Sequence, residues 1–174
     1  MILDRIIKDC GTVATAGNTA VEISAVCNDS RKVTPGALFV AVKRYASDGH
    51  SFIRTAAEKG AVAVIYEDQE IADVQLEGIE GITLVKVESS RYALAIAAAN
   101  FYDNPSHKLT LVGITGTNGK TTTVTLLYRM FTGLGYSCGL LSTIANYVGS
   151  RGSEAVNTTS DPLTINSLLN EMVE

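Results

Sequence analysis

The sequence has 174 residues, 46% of them hydrophobic and 18% charged, with a formal net charge of -4 at pH 7. That apolar content is enough for a real core and excludes a disordered polymer, while the acidic balance argues against a general nucleic-acid-binding face. No run reaches the roughly 20 apolar residues that cross a bilayer, and the opening Met1-Ile2-Leu3-Asp4-Arg5 lacks the charged-then-apolar order of a signal peptide, so a soluble cytoplasmic protein without a membrane partner is expected.

Short β-branched runs alternate with segments of helical period, which predicts a mainly parallel α/β architecture. In chain order, residues 37–42 read as a strand, 51–59 as a short helix ended by Gly60, and 61–66 as the next strand. Residues 82–87 form another strand candidate, after which Ser89 or Ser90 caps an alanine-rich helix reaching Asn100. The turn-rich Tyr102-Asp103-Asn104-Pro105-Ser106 then marks a boundary between a first domain, 1–105, and a second, 106–174. The second begins with a buried strand at 109–115, followed by a glycine loop, a helix from Thr121 to about Thr132, and a second parallel strand at 137–142. A looser segment around Gly149 and Gly152 leads to a last helical stretch, 163–174. Two parallel strands are too few for a doubly wound nucleotide-binding sheet, so the second domain reads as a truncated one.

Gly116-Thr117-Asn118-Gly119-Lys120-Thr121-Thr122 carries the chemistry. A strand entering a tight loop that opens a helix makes successive backbone N–H groups converge on one anion, and phosphate is the natural ligand. Gly116 and Gly119 allow close backbone approach. Lys120 supplies positive charge for the β and γ phosphates, and the Thr121 hydroxyl is a ligand for Mg2+. The full Walker spacing G-x-x-x-x-G-K-[ST] is not met, since Ile114 stands where its first glycine belongs; the loop is the shorter G-x-x-G-K-T. A glycine-rich turn that happens to precede Lys-Thr is the competing structural reading, and the predicted strand and helix on its two sides weigh against it.

The other chemistry-bearing residues have plainer readings. Asp29 and Ser30 suit an Asx or Ser turn. His50 reads as a surface or capping residue with no carboxylate partner and no catalytic role. Arg91 reads as structural. Cys10, Cys27 and Cys138 are odd in number and widely spaced, and read as reduced thiols. After the loop the only carboxylates are Glu154, Asp161, Glu171 and Glu174, and none ends an apolar strand as a Walker-type Mg2+ ligand would.

The loop at 116–122 resembles the ATP loop of the Mur ligase family. Asn28-Asp29-Ser30-Arg31, with Pro35-Gly36 and Leu38-Phe39-Val40-Ala41, is similar to the signature of that family's uridine-nucleotide domain, and Asp48-Gly49-His50 to the segment that follows it. Asn157-Thr158-Thr159 is similar to the threonine pair that contacts the muramoyl substrate, and together with Asn118 it points to the MurE branch over MurF. Arg44 and Tyr45, and Ser160 after the threonines, depart from the pattern.

The resemblance implies a small N-terminal α/β uridine-nucleotide domain followed by the start of a P-loop-type α/β central domain. It implies ATP and Mg2+ as cofactors, with 116–122 as the ATP segment and Lys120 as the catalytic residue. Ser30, Asn157, Thr158 and Thr159 would be substrate contacts. The reaction implied adds meso-diaminopimelate or L-lysine to a UDP-N-acetylmuramoyl dipeptide through an acyl phosphate. Alternatives are a MurF-type ligase adding D-alanyl-D-alanine, a non-catalytic nucleotide-binding module, and a P-loop kinase, the last leaving the first domain unexplained.

Overall fold

The computed structural model describes residues 1–43, 48–154 and 161–174. The chain divides into two compact units, Met1–Asp103 and Asn104–Glu174.

The first unit is built on five strands: β1 (Thr12–Ala16), β2 (Ala25–Cys27), β3 (Ala37–Val40), β4 (Ala63–Tyr66) and β5 (Thr83–Val87). Their order is β1-β5-β4-β3-β2, with β2 to β5 parallel and β1 antiparallel at the edge. Every residue of β3 and β4 is buried, as strands covered on both faces must be. All five residues of β1 are exposed. Neither β1 nor β2 stands out in the sequence, because a three-residue strand and a wholly exposed one carry no hydrophobic period to read.

The helices of this unit are α1 (Leu3–Ile6), α2 (Ile53–Glu58), α3 (Gln69–Leu76) and α4 (Ser90–Phe101). Ala37, Phe39, Val64 and Tyr66 bury one sheet face against Ile53 and Ala56 of α2 and Ala72 of α3. The alternate residues Leu38, Val40 and Ile65 are equally buried, and α4 lies against β2, β3 and β4 with α1 packed on α4. Small side chains in α4, with Ala93, Ala97 and Ala98 buried, let that helix sit close to the sheet. Ser89 caps α4 by accepting the Tyr92 N–H, as its position before the alanine run predicts. The predicted strand at 37–42 ends two residues earlier, and the helix expected at 51–59 is a 3-10 turn, Gly49–Phe52, running into α2.

The second unit contains α5 (Lys120–Gly133), strands β6 (Gly139–Leu141), β7 (Ala145–Val148) and β8 (Arg151–Glu154), and α6 (Pro162–Val173). Here three expectations are corrected. Residues 109–115 belong to no strand among the described residues, and Leu111 and Val112 are 57% and 65% exposed instead of buried. A parallel strand exists only beside a hydrogen-bonded neighbour, and among the described residues the unit's one sheet, β6-β7-β8, does not include this segment. Second, the strand expected at 137–142 shortens to β6 and pairs antiparallel with β7. Third, the segment around Gly149 and Gly152 is ordered: β7 and β8 form a hairpin with a two-residue turn whose first residue, Gly149, has φ 54°. Gly152 is needed there for space, since a Cβ would lie 2.8 Å from the Tyr147 ring.

Tyr147 stacks on Tyr128 of α5 at a centroid distance of 5.3 Å, and the Tyr128 hydroxyl donates to the Gly149 carbonyl. Asp161 caps α6, accepting from the Leu163 and Thr164 N–H groups. Among the described residues no helix is long and apolar enough to cross a membrane.

Candidate nucleotide sites

The glycine loop is the clearer of two candidate sites. Gly116 has φ 149° and Gly119 φ 77°, backbone conformations that a side chain disfavours, and a Cβ on Gly119 would meet nothing within 4 Å. Gly119 is the N-cap of α5 and has no side chain to cap with, so the first-turn N–H groups of Lys120, Thr121 and Thr122 have no capping acceptor. The first intrahelical bond runs from the Thr123 N–H to the Gly119 carbonyl at 2.8 Å. A 14-residue helix opening this way offers both directed donors and the positive end of its dipole.

The Lys120 ammonium folds back over this opening, donating to the Gly116 carbonyl and, at 3.4 Å, to that of Thr117. Thr121 Oγ1 lies 3.3 Å from Thr143 Oγ1. Thr143 was not legible as a member of this site, being 22 residues away with no motif around it. Of the carboxylates after the loop, Asp161 is occupied as the α6 cap, Glu171 pairs with Arg151, and Glu174 accepts from Asn170. Among the described residues no group of three His, Cys, Asp or Glu side chains is placed to hold a metal ion.

The second candidate is the turn after β2. Asp29 N-caps the 3-10 turn Ser30–Lys32, accepting the Arg31 N–H at 3.0 Å, and its carboxylate pairs with the Arg31 guanidinium at 2.7 Å. Hydrogen bonds from the Arg31 side chain and backbone hold the Asp29 carboxyl well below the usual carboxylate range. Ser30 is buried within this turn. Just before it, the Asn28 Nδ2 donor is buried without a partner among the described residues. The turn lies beyond the carboxyl end of β2, the edge strand of the parallel part of the sheet. Asn157, Thr158 and Thr159, as well as Arg44, Tyr45 and Ser160, lie outside the described residues.

His50 corrects the sequence reading. It is fully buried and does have a carboxylate partner, with Nδ1 2.6 Å from Asp48 Oδ1. Its Nε2 accepts from the backbone N–H groups of Glu67 at 3.0 Å and Asp68 at 3.2 Å. Two donors facing Nε2 leave the proton on Nδ1, so the ring is a neutral bridge tying the turn before α2 to the end of β4. The signal was present in the spacing: an Asp two residues before a His is placed to accept that residue's N–H, and Asp48 does so at 3.0 Å. Although burial opposes ionisation of Asp48, these bonds from His50 hold its carboxyl below the ordinary value. Arg91, as expected, is structural: its guanidinium donates twice to the Lys43 carbonyl. The thiols of Cys10, Cys27 and Cys138 are free, and burial pushes that of Cys10 up to about 12.

The parallel sheet of the first unit and the glycine loop opening α5 in the second define a two-unit α/β protein. Two family models divide the chain between them, "Mur ligase family, catalytic domain" over residues 22–102 and "Mur ligase middle domain" over residues 114–174. The chain belongs to the Mur ligase family. It is 47% identical over all 174 residues to the UDP-N-acetylmuramoyl-L-alanyl-D-glutamate–2,6-diaminopimelate ligase of Cytophaga hutchinsonii, covering 35% of that protein. A solved structure of a ligase of the same name matches with a TM-score of 0.71 at 20% identity, over 99% of this chain and 33% of that one, which speaks to the fold alone. A MurF ligase from Thermotoga maritima, solved in complex with ADP, matches at 28% identity and a TM-score of 0.55, over 86% of this chain and 29% of that one. The chain thus spans about a third of the length of the curated relatives it matches.

Proposed function

We propose that this chain is the uridine-nucleotide domain (1–105) and the beginning of the ATP-binding domain (106–174) of a MurE-type ligase. The enzyme would add a diamino acid, 2,6-diaminopimelate in the relatives' names, to UDP-N-acetylmuramoyl-L-alanyl-D-glutamate in the cytoplasm. The observation that carries this reading is the 47% identity across the whole chain, both units included. The ADP complex of the Thermotoga maritima relative supports an adenine nucleotide as a ligand of the enzyme.

The loop's geometry fits a nucleotide triphosphate. The N–H groups of Lys120, Thr121 and Thr122 face an anion without competition from a capping side chain, and no Cβ at 116 or 119 blocks its approach. An anion seated there draws the Lys120 ammonium from the Gly116 and Thr117 carbonyls, placing a full charge where negative charge accumulates during phosphoryl transfer. Thr117 and Asn118 form the rim of the loop, and the Thr121 hydroxyl is the ligand this chain offers to Mg2+. Bound ATP would give its γ-phosphoryl group to the D-glutamyl carboxylate with release of ADP, and the incoming amine would displace phosphate from the acyl phosphate to form the amide. On the substrate side, Ser30 contacts the uridine nucleotide, and Asn157, Thr158 and Thr159 contact the muramoyl dipeptide.

The test is Lys120→Ala in the full-length ligase, followed by incorporation of diaminopimelate into the UDP-muramoyl dipeptide. Turnover should fall by roughly 100-fold or more with the melting temperature unchanged, and near-normal turnover removes the loop from the mechanism. The 174-residue chain by itself should form no amide, because Thr121 alone cannot hold the metal that aligns the two anions.

A further inference from the structure

The turn that carries Ser30 is three residues long and is held locally by the Asp29 cap on the Arg31 N–H at 3.0 Å and by the Cys27 thiol, which donates to the Lys32 carbonyl at 3.6 Å. One backbone bond, Lys32 N–H to the Asp29 carbonyl at 3.0 Å, closes it. The Asp29–Arg31 pair joins residues two apart and is exposed on the arginine side, so it cannot orient the turn relative to the sheet. As at any helix end, the last carbonyls lack a partner within the turn. Lys59, almost 30 residues away, supplies one: its ammonium donates to the Ser30 carbonyl at 3.0 Å and reaches the Arg31 carbonyl at 3.4 Å.

Lys59 is itself fixed at the backbone. It is the C-cap residue of α2 and is followed by Gly60 at φ 96°, whose Cβ would lie 3.0 Å from the Pro35 Cα. The Gly36 N–H donates to the Gly60 carbonyl at 2.9 Å, anchoring this end of α2 to the loop before β3. At the other end of α2, the turn containing His50 is tied to the end of β4 through the Glu67 and Asp68 N–H groups. A helix held at both ends cannot follow its terminal lysine, so the ammonium is a brace between the sheet frame and the Ser30 turn.

We propose that Lys59 is a positioning residue for the first unit's nucleotide site, holding the Ser30 turn in the conformation that presents the serine to a uridine nucleotide. This rests on the reading of Ser30 as a uridine-nucleotide contact. Lys59 touches no ligand in this account; it acts through Ser30.

That route has a signature a general structural role lacks, because two residues acting through one contact are not additive. The test is calorimetric titration of UDP-N-acetylmuramoyl-L-alanyl-D-glutamate into the 174-residue chain as wild type, Ser30→Ala, Lys59→Met, Lys59→Arg and the Ser30→Ala/Lys59→Met double variant. Lys59→Met should weaken binding roughly 3- to 10-fold, the range of one typical hydrogen bond lost, with an unchanged melting temperature. Lys59→Arg should recover most of the affinity, and the double variant should bind no more weakly than Ser30→Ala. Lys59→Gln, which keeps a donor without the charge, stands in should Lys59→Met not fold. Wild-type affinity in Lys59→Met, or a full additional loss in the double variant, overturns the proposal and leaves the Ser30 site standing. Wild-type affinity in Ser30→Ala overturns both.

Discussion

The two units differ most in how their helices are covered. In the first, α4 buries five of its twelve residues, and β3 and β4 are buried throughout. In the second, α5 has fourteen residues and buries none, while Leu126 and Met130 on it are 60% and 50% exposed and its C-cap Leu134 is 67% exposed. The unit with the finished core holds the Ser30 turn on a rigid frame. The unit with the glycine loop presents its candidate site on the backbone of a helix start, which needs local geometry more than a deep core.

The contrast can be broken or sharpened by mutation. Phe39→Ala removes a ring that is 1% exposed at the centre of the first unit and should destabilise the chain by about 3–5 kcal/mol, read as a lowered urea midpoint. A smaller loss would mean that the first unit's core is looser than its burial indicates.

His50→Ala should cost about 1–3 kcal/mol, because the Glu67 and Asp68 N–H groups lose their acceptor in the interior. The effect should depend on pH. Asp48 is held below its ordinary value in the folded protein, so its share of the stability is complete above the unfolded value and disappears as pH falls through the folded one. The stability gap between wild type and His50→Ala should therefore narrow below about pH 4, and urea melts from pH 7 down to pH 3 would show it. A gap that stayed constant would remove Asp48 from the account.

At the small end, Leu126→Ser should change stability by less than about 0.5 kcal/mol, since that side chain has little cover to lose. A loss comparable with that of Phe39→Ala would show that α5 is packed in solution and erase the contrast between the units.

Much of the first unit was readable from sequence because its strands are short runs of buried β-branched and aliphatic residues bounded by turns, and its alanine-rich helix has a serine cap. β1 and β2 were not, lacking any burial pattern of their own. The glycine loop was readable because its function lies in the backbone: Gly116, Gly119 and Lys120 announce a helix start without a side-chain cap. The strand expected at 109–115 misled because an apolar run specifies only a willingness to pair. Pairing needs a neighbour, which is a tertiary fact.

By itself, then, the sequence determined the parallel α/β character of the first unit, the position of the loop, and the family resemblance that the comparisons bear out. Those depend on local spacing and residue type. Only the tertiary structure decided that His50 is a buried bridge, that Thr143 meets Thr121, and that Lys59 grips the Ser30 turn. Each of these joins groups far apart in the chain, and such a hydrogen bond leaves no periodic trace in the sequence.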